Sequence, residues 1–303
     1  MPRSTGTLVC AMLGQHPQLY GILETRLYEV ERVSEWWEFS RDGGKTPGGL
    51  LRNVSEILFG VQSMQSVERA KVWLWQRRNW PTIKVLQTLA TEVFPLGFVE
   101  KHPIPPASDQ SIQEQLERRI RCFPEARFIW LVRCPTCFGQ SMLEMLDMLE
   151  SLKMKNGRGA AIREKSAIKP SGRTRTDPEV SWKRVNKQIM SFLQKLPSER
   201  YRVIRSEDLL GDADKHLKEI TSWLGIRSDS GAIEEMKHPE RSPFAFVGPS
   251  NALGGGDGKF FRNPALRVPS AHPHRLSDPL PWRRDATPLA DDVKQLARKL
   301  GYH

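Results

Sequence analysis

Eight residues, Ala126-Arg127-Phe128-Ile129-Trp130-Leu131-Val132-Arg133, constrain the fold of this chain more than any other stretch. The apolar run is continuous and bounded by charge. A strand buried on both faces reads this way, and such strands belong to parallel sheets covered by helices. Leu96-Gly97-Phe98-Val99-Glu100 and Tyr201-Arg202-Val203-Ile204-Arg205 are two further short strands. Helical stretches separate and follow them: about Asp109 to Cys122, Val180 to Leu196, His216 to Leu224 and a terminal helix with Leu289, Val293, Leu296 and Leu300 on one face. The pattern predicts an α/β fold with a central parallel sheet. Open sheets of this kind bind ligands outside the carboxyl ends of their strands, where Lys101 and Arg133 stand.

The chain start adds a second constraint. Pro2-Arg3-Ser4-Thr5-Gly6-Thr7 runs directly into the apolar Leu8-Val9-Cys10-Ala11-Met12-Leu13. A helix start leaves N–H groups unpaired and carries partial positive charge. Gly6 allows close backbone approach, the hydroxyls of Ser4, Thr5 and Thr7 can donate, and Arg3 adds a planar cation. Together they form a cradle for a phosphate or sulfate group. The alternative reading is an ordinary capped helix. Ser141 lies eight residues after Arg133, so a strand-end arginine and a helix hydroxyl can grip one phosphate from two sides.

The 303 residues, 39% hydrophobic and 27% charged, suit a soluble globular protein of one domain. No apolar run reaches membrane-spanning length and no signal peptide is visible, so a cytoplasmic protein without a membrane partner is expected. Cys10, Cys122, Cys134 and Cys137 are too few for a disulfide framework and favour a reducing compartment. A net charge of +11 favours anionic partners.

Other features compete for a role. Gly43-Gly44-Lys45-Thr46 lacks the first glycine of a Walker loop and no strand precedes it. The tryptophans between residues 31 and 95 read as core and pocket lining rather than a stacking platform, so nucleic acid is not expected. Cys134-Pro135-Thr136-Cys137 opens a helix, as redox pairs do, but no thioredoxin-like strand order surrounds it. No cluster keeps metal-ligand spacing. Residues 153–178 form a basic surface loop, and 238–284, rich in Gly and Pro, reads as a lid-like segment. Glu24 sits just past the helix that follows the cradle, where a carboxylate near a bound anion suggests a proton acceptor. A surface Glu paired with Arg26 or Arg3 is the alternative, and His102 is a rival base.

In this order and spacing the landmarks resemble the sulfotransferases that use the donor PAPS (3'-phosphoadenosine 5'-phosphosulfate). Pro2 to Leu8 is similar to their Pro-Arg-Ser-Gly-Thr-Thr-Leu loop, and Gln15-His16-Pro17 to the His-Pro after their first helix. Glu100-Lys101-His102-Pro103, the Arg133/Ser141 pair and Arg205-Ser206-Glu207-Asp208-Leu209 resemble three further family elements. The resemblance implies a P-loop-like three-layer α/β/α fold and sulfuryl transfer to a hydroxyl, leaving PAP, without a metal. It implies that Arg3, Ser4, Thr5, Gly6, Thr7, Leu8, Arg133 and Ser141 bind the donor. Arg3 and Lys101 would stabilise its charge, and Glu24 stands where tyrosylprotein sulfotransferases carry their catalytic Glu. The region around Glu24 is also similar to carrier-protein sulfotransferase domains of polyketide synthases, with Arg26 in place of their His. The implied acceptor is a small molecule or one bound to an acidic carrier protein.

The chain departs from the pattern at several points. Thr5-Gly6 reverses the family's Gly-Thr, Cys134 replaces an Asp, and Ser206 replaces a Tyr. The family's loop follows a central strand, whereas here only Met1 precedes it, so the expectation is a sheet lacking its first strand or an N-terminus further upstream. A catalytically weak or inactive relative that binds an anionic partner is the alternative function.

Overall fold

A computed structural model of the chain describes residues 5–42, 48–102, 109–155, 177–267, 275–283 and 285–303. Arg3, Ser4, residues 43–47, Pro103 and most of the basic stretch at 153–178 lie outside the described residues. Helix α1 (Gly6–Leu13) leads into β1 (Leu19–Ile22). A helical block follows, made of α2 (Val33–Asp42), α3 (Gly48–Phe59), α4 (Met64–Gln76) and α5 (Thr82–Glu92). Then come β2 (Gly97–Glu100), α6 (Asp109–Cys122), β3 (Phe128–Val132), α7 (Pro135–Lys155), α8 (Pro178–Leu193) and β4 (Tyr201–Arg205). The remainder holds α9 (Ser206–Gly211), α10 (Ala213–Leu224), α11 (Ser230–Met236), α12 (Gly258–Arg262) and α13 (Asp291–Lys299).

The strands are parallel, as their separation by helices requires. Among the described residues they form two pairs rather than one sheet: β1 with β2, and β3 with β4. Leu19 pairs with Gly97 and Ile22 with Glu100; Phe128 pairs with Tyr201 and Val132 with Arg205. The facing edges of β2 and β3 both line a cavity of about 520 Å³, which also takes in Val9, Leu13 and Arg119. Strand β1 has no counterpart among the sequence-based expectations, because Leu-Tyr-Gly-Ile is only four residues long and contains a glycine.

Three apolar clusters hold these elements. One lies within the helical block, around Trp36, Leu51, Leu74 and Leu86. A second joins α1 to α9, α10 and α11 through Met12, Leu209, Leu217 and Met236. The third packs β3 between α6, α7, α8 and α13, around Val132, Phe138, Trp182 and Leu296. His16 fixes the turn after α1: its Nδ1 accepts the Gln18 N–H at 3.1 Å and its Nε2 reaches the Arg227 carbonyl at 2.9 Å. Local signals agree with the tertiary ones. Asp177 and Asp212 cap α8 and α10, and α10 ends on Gly225 at φ 71°. In its described parts the stretch expected to be lid-like buries Phe244, Ala252, Phe260 and Leu280 and exposes Phe246, Val247 and Leu253. No helix among the described residues is long and apolar enough to cross a membrane.

Trp182 links this core to the strand ends. It is fully buried, and its Nε1 donates to the Arg133 carbonyl at 2.9 Å. Trp182→Phe leaves that carbonyl without its donor, so urea denaturation should show a loss of about 1–3 kcal/mol. Unchanged stability would contradict the role assigned to this bond.

Candidate active site

The register of the first strand pair creates the site. Ile22 stands opposite Glu100, so Glu24 and Lys101 leave their strands side by side. The Lys101 ammonium ion-pairs with Glu24 Oε1 and donates to Thr7 Oγ1 at 3.3 Å. Both members of the pair are mostly buried, and Thr7 lies in the first turn of α1. The structure therefore joins three residues that are far apart in sequence. It corrects one expectation: Glu24 follows β1, not the first helix directly.

Thr5, the residue before α1, has an unusual backbone. Thr5 sits at φ 57°, ψ 13°, in the left-handed region. That conformation costs a residue with a Cβ about 1–2 kcal/mol, and glycine stands at this position in the loop the sequence resembles. The reversed Thr-Gly order thus puts a residue with a Cβ in the left-handed region. Gly6 is used differently: a Cβ there would lie 3.1 Å from the Lys101 side chain, so its absence lets the lysine stem pack against the start of α1. Arg3 and Ser4, which the sequence places in this cradle, are outside the described residues.

The second half of the site is a cavity of about 310 Å³. Thr5, Thr7 and Leu8 line one part of it, and Arg133 and Ser141 another. These expected donor residues therefore meet at one place, and Gly6 packs on Lys101 beside them. Thr7 and Phe260 also line the small cavity that contains Glu24 and Lys101, so the two halves abut at these residues. Arg133 is held by its backbone. Besides the Trp182 bond to its carbonyl, the next N–H, that of Cys134, donates to Glu207 Oε1 at 2.9 Å. Tyr302 in turn donates to Glu207 Oε2 at 3.0 Å. The Arg205-Ser206-Glu207-Asp208-Leu209 segment thus has a physical role, because Glu207 braces the Arg133 turn.

Lys259, Asn263 and Arg267 also line the 310 Å³ cavity, and none of them stands out in the sequence. The glycines at 254–256 and 258 next to Lys259 are the available signal, and they suggest no more than a lid. Lys259 ion-pairs with Glu144 of α7. With Arg133 and Arg267, it gives the cavity three cationic side chains, against Glu144 and Asp257. The excess of one positive charge favours an anion.

The cysteine pair lies at the same place. Cys134 immediately precedes α7, and Cys137 lines the cavity. The Cys137 thiol and the N–H groups of Cys137 and Thr136 hydrogen-bond to the Cys134 sulfur and hold its thiol below the ordinary cysteine range, against the effect of burial. The same thiol–thiol bond and burial push Cys137 up. All four cysteines are free. Among the described residues no group of three or more His, Cys, Asp or Glu could hold a metal.

His102, the rival base, points elsewhere. Its side chain is 3% exposed, its Nε2 lies 3.6 Å from Glu29 Oε1, and its ring packs edge-on to Tyr28. Neither ring nitrogen has a hydrogen-bond partner among the described residues. Burial pushes it down to about 4, against the pull of Glu29. It lines the cavity between the strand pairs rather than those that contain Thr7.

Comparison with known proteins bears on the family and the fold. The model of the sulfotransferase family matches residues 1–230. The fold is similar to the solved "Sulfotransferase Domain from the Curacin Biosynthetic Pathway", at 19% identity and a TM-score of 0.71, covering 100% of this chain and 95% of that one. It is also similar to the "Sulfotransferase Domain from the Synechococcus PCC 7002 Olefin Synthase", at 21% identity and a TM-score of 0.69, covering 100% and 92%. No curated protein matches the sequence.

The state of His102 has a pH signature. Its folded value of about 4 lies below the ordinary 6.5, so the unfolded chain binds the proton first. The stability held by neutral His102 is complete above pH 6.5 and is lost as the pH falls towards 4. Between pH 7 and 4.5 the wild type should therefore lose about 2–3 kcal/mol more than His102→Phe, measured by urea denaturation. Equal losses in the two proteins would show that His102 is not held neutral.

Proposed function

The chain belongs to the sulfotransferase family, and we propose that it transfers a sulfuryl group from PAPS to a hydroxyl of a small or carrier-bound acceptor, leaving PAP. In this reading the two strand pairs are parts of one P-loop-like three-layer α/β/α domain, with the cavity between β2 and β3 as the seat of a further central strand. One observation carries the functional reading. The cationic cavity with Arg133 and Ser141 adjoins, at Thr7, the pocket that holds Lys101 and Glu24.

The residues fit an anionic nucleotide. Arg133, Ser141, Lys259 and Arg267 would hold its phosphate, and the first turn of α1 would face its phosphosulfate. When bound, PAPS supplies a sulfuryl group joined to phosphate through a bridging oxygen. Lys101 is a fixed positive charge for the negative charge that develops on that oxygen as its bond to sulfur breaks. Glu24 is the candidate base. The acceptor oxygen forms a bond to sulfur, and its proton passes to the Glu24 carboxylate. Charge is balanced by these side chains, so the step calls for no metal.

The carrier-bound form of the acceptor follows the resemblance of the Glu24 region to carrier-protein sulfotransferase domains, and the two structural relatives, from the curacin biosynthetic pathway and an olefin synthase, are in keeping with it. The net charge of +11 would suit an acidic carrier surface.

Glu24→Gln keeps the shape and removes the base. It should lower the rate of PAP release from PAPS, in the presence of a hydroxyacyl chain on a carrier protein or a simple phenol, by about 10²–10⁴-fold. PAP affinity should change little, because the proposed nucleotide contacts lie in the other cavity. Full activity in Glu24→Gln would overturn the assignment of the base. PAP binding without transfer by the wild type, across such acceptors, would favour the inactive relative instead.

A further inference from the structure

The Glu24 side chain can act only if its backbone holds it against Lys101 and Thr7, and that backbone has unusual support. Asn53 of α3 is fully buried and pairs twice with Leu23: its Oδ1 accepts the Leu23 N–H and its Nδ2 donates to the Leu23 carbonyl, both at 3.0 Å. A side-chain amide thus continues the backbone pairing of β1 by one residue after the strand ends. The next N–H, that of Glu24, donates to the Gly255 carbonyl at 3.0 Å. Gly49, also on α3, lies against the Glu24 carbonyl so closely that a Cβ there would collide with it. Gly255, at φ 94°, lies against Gly49 in the same way. The peptide of Glu24 is therefore enclosed by α3 and the glycine segment.

That segment is itself anchored at both ends. Arg52, next to Asn53 on α3, is fully buried, and its Nη1 donates to the Gly254 carbonyl at 2.7 Å. Its Nε donates to Gln62 Oε1 at 2.7 Å, and the rings of Phe246 and Phe261 stand 4.6 and 5.4 Å from its Cζ. At the other end the Asp257 N–H donates to Thr7 Oγ1 at 3.0 Å, the same oxygen that Lys101 reaches. The contacts close a ring: Glu24 to Gly255, along the chain to Asp257, to Thr7, to Lys101, and back to Glu24.

We propose that Asn53, Arg52 and the Gly254–Asp257 segment are positioning residues, which set the Glu24 carboxylate against Lys101 and couple it to the first turn of α1. The catalytic meaning of this arrangement rests on the reading of Glu24 as the base. Asn53 and Arg52 line neither cavity of the site; they act by fixing the peptide from which the carboxylate extends. Their chemistry agrees with this. A buried guanidinium satisfied by carbonyls, an amide and aromatic faces is rigid, because any movement would leave a desolvated cation without partners.

The test follows the ionisation of Glu24 by carbon NMR in the full chain labelled at glutamate side-chain carboxyls, with the Glu24 signal identified by its loss in Glu24→Gln. Contact with Lys101 favours the charged form, so Lys101→Met should raise the midpoint. Gly255→Ala forces a Cβ towards Gly49, and Asn53→Ala removes both bonds to Leu23. Each should raise the midpoint by at least half as much as Lys101→Met. A midpoint unchanged in Gly255→Ala while circular dichroism shows the fold intact would overturn the proposal, even if Asn53→Ala fails to fold. The midpoint is read without turnover, so full activity in Glu24→Gln would remove the base assignment and leave this result standing.

Discussion

The ion pair between Lys101 and Glu24 is the contact on which the rest of the site depends. It exists because β1 and β2 are parallel and in a register that brings Ile22 opposite Glu100. The two chains then leave the sheet at one edge, and the residues just beyond meet. A one-residue slip would turn every side chain of a strand to the opposite face. The buried ends of both strands resist such a slip. Thr25 Oγ1 donates to Glu100 Oε1 at 2.6 Å, and Trp36 Nε1 donates to the Thr25 carbonyl at 3.0 Å. Burial raises the Glu100 carboxyl, and the Thr25 bond works against that rise.

The second strand pair supplies the other half by the same geometry. Val132 stands opposite Arg205, so Arg133 and α9 (Ser206–Gly211) emerge together. Glu207 can then reach back to the Cys134 N–H, while Trp182 holds the Arg133 carbonyl from the core side. Packing, register and hydrogen bonding converge on one cationic cavity beside Thr7. Its position at the strand ends is where an open parallel arrangement leaves room for a ligand.

Much of this is legible in the sequence. Phe128 to Val132 reads as a buried strand from its uninterrupted apolar run, and Arg133 with Ser141 from strand end and helix spacing. Lys101 follows from the same logic at a second strand. What the sequence hides has physical causes. Leu19–Ile22 is short and carries a glycine, so no periodicity announces it, and Glu24 is then placed relative to the wrong element. Lys259, Asn263 and Arg267 lie in a glycine-rich stretch whose composition predicts a loop but not where the loop folds back. Asn53 and Arg52 look like ordinary polar positions on an amphipathic helix. Only the tertiary structure shows them buried against Leu23 and Gly254. His102 beside Lys101 reads as a plausible base, yet the chain turns its ring into the interior.

Whether the cavity at Arg133 holds the nucleotide is open to one direct measurement, calorimetric titration of the full chain with PAP. Saturable binding at one site per chain is the expected result. Arg133→Ala, with the fold retained, should weaken it by about 10–100-fold through the loss of a charge-assisted bond. No binding of PAP by the wild type, or equal affinity in Arg133→Ala, would contradict the assignment of this cavity.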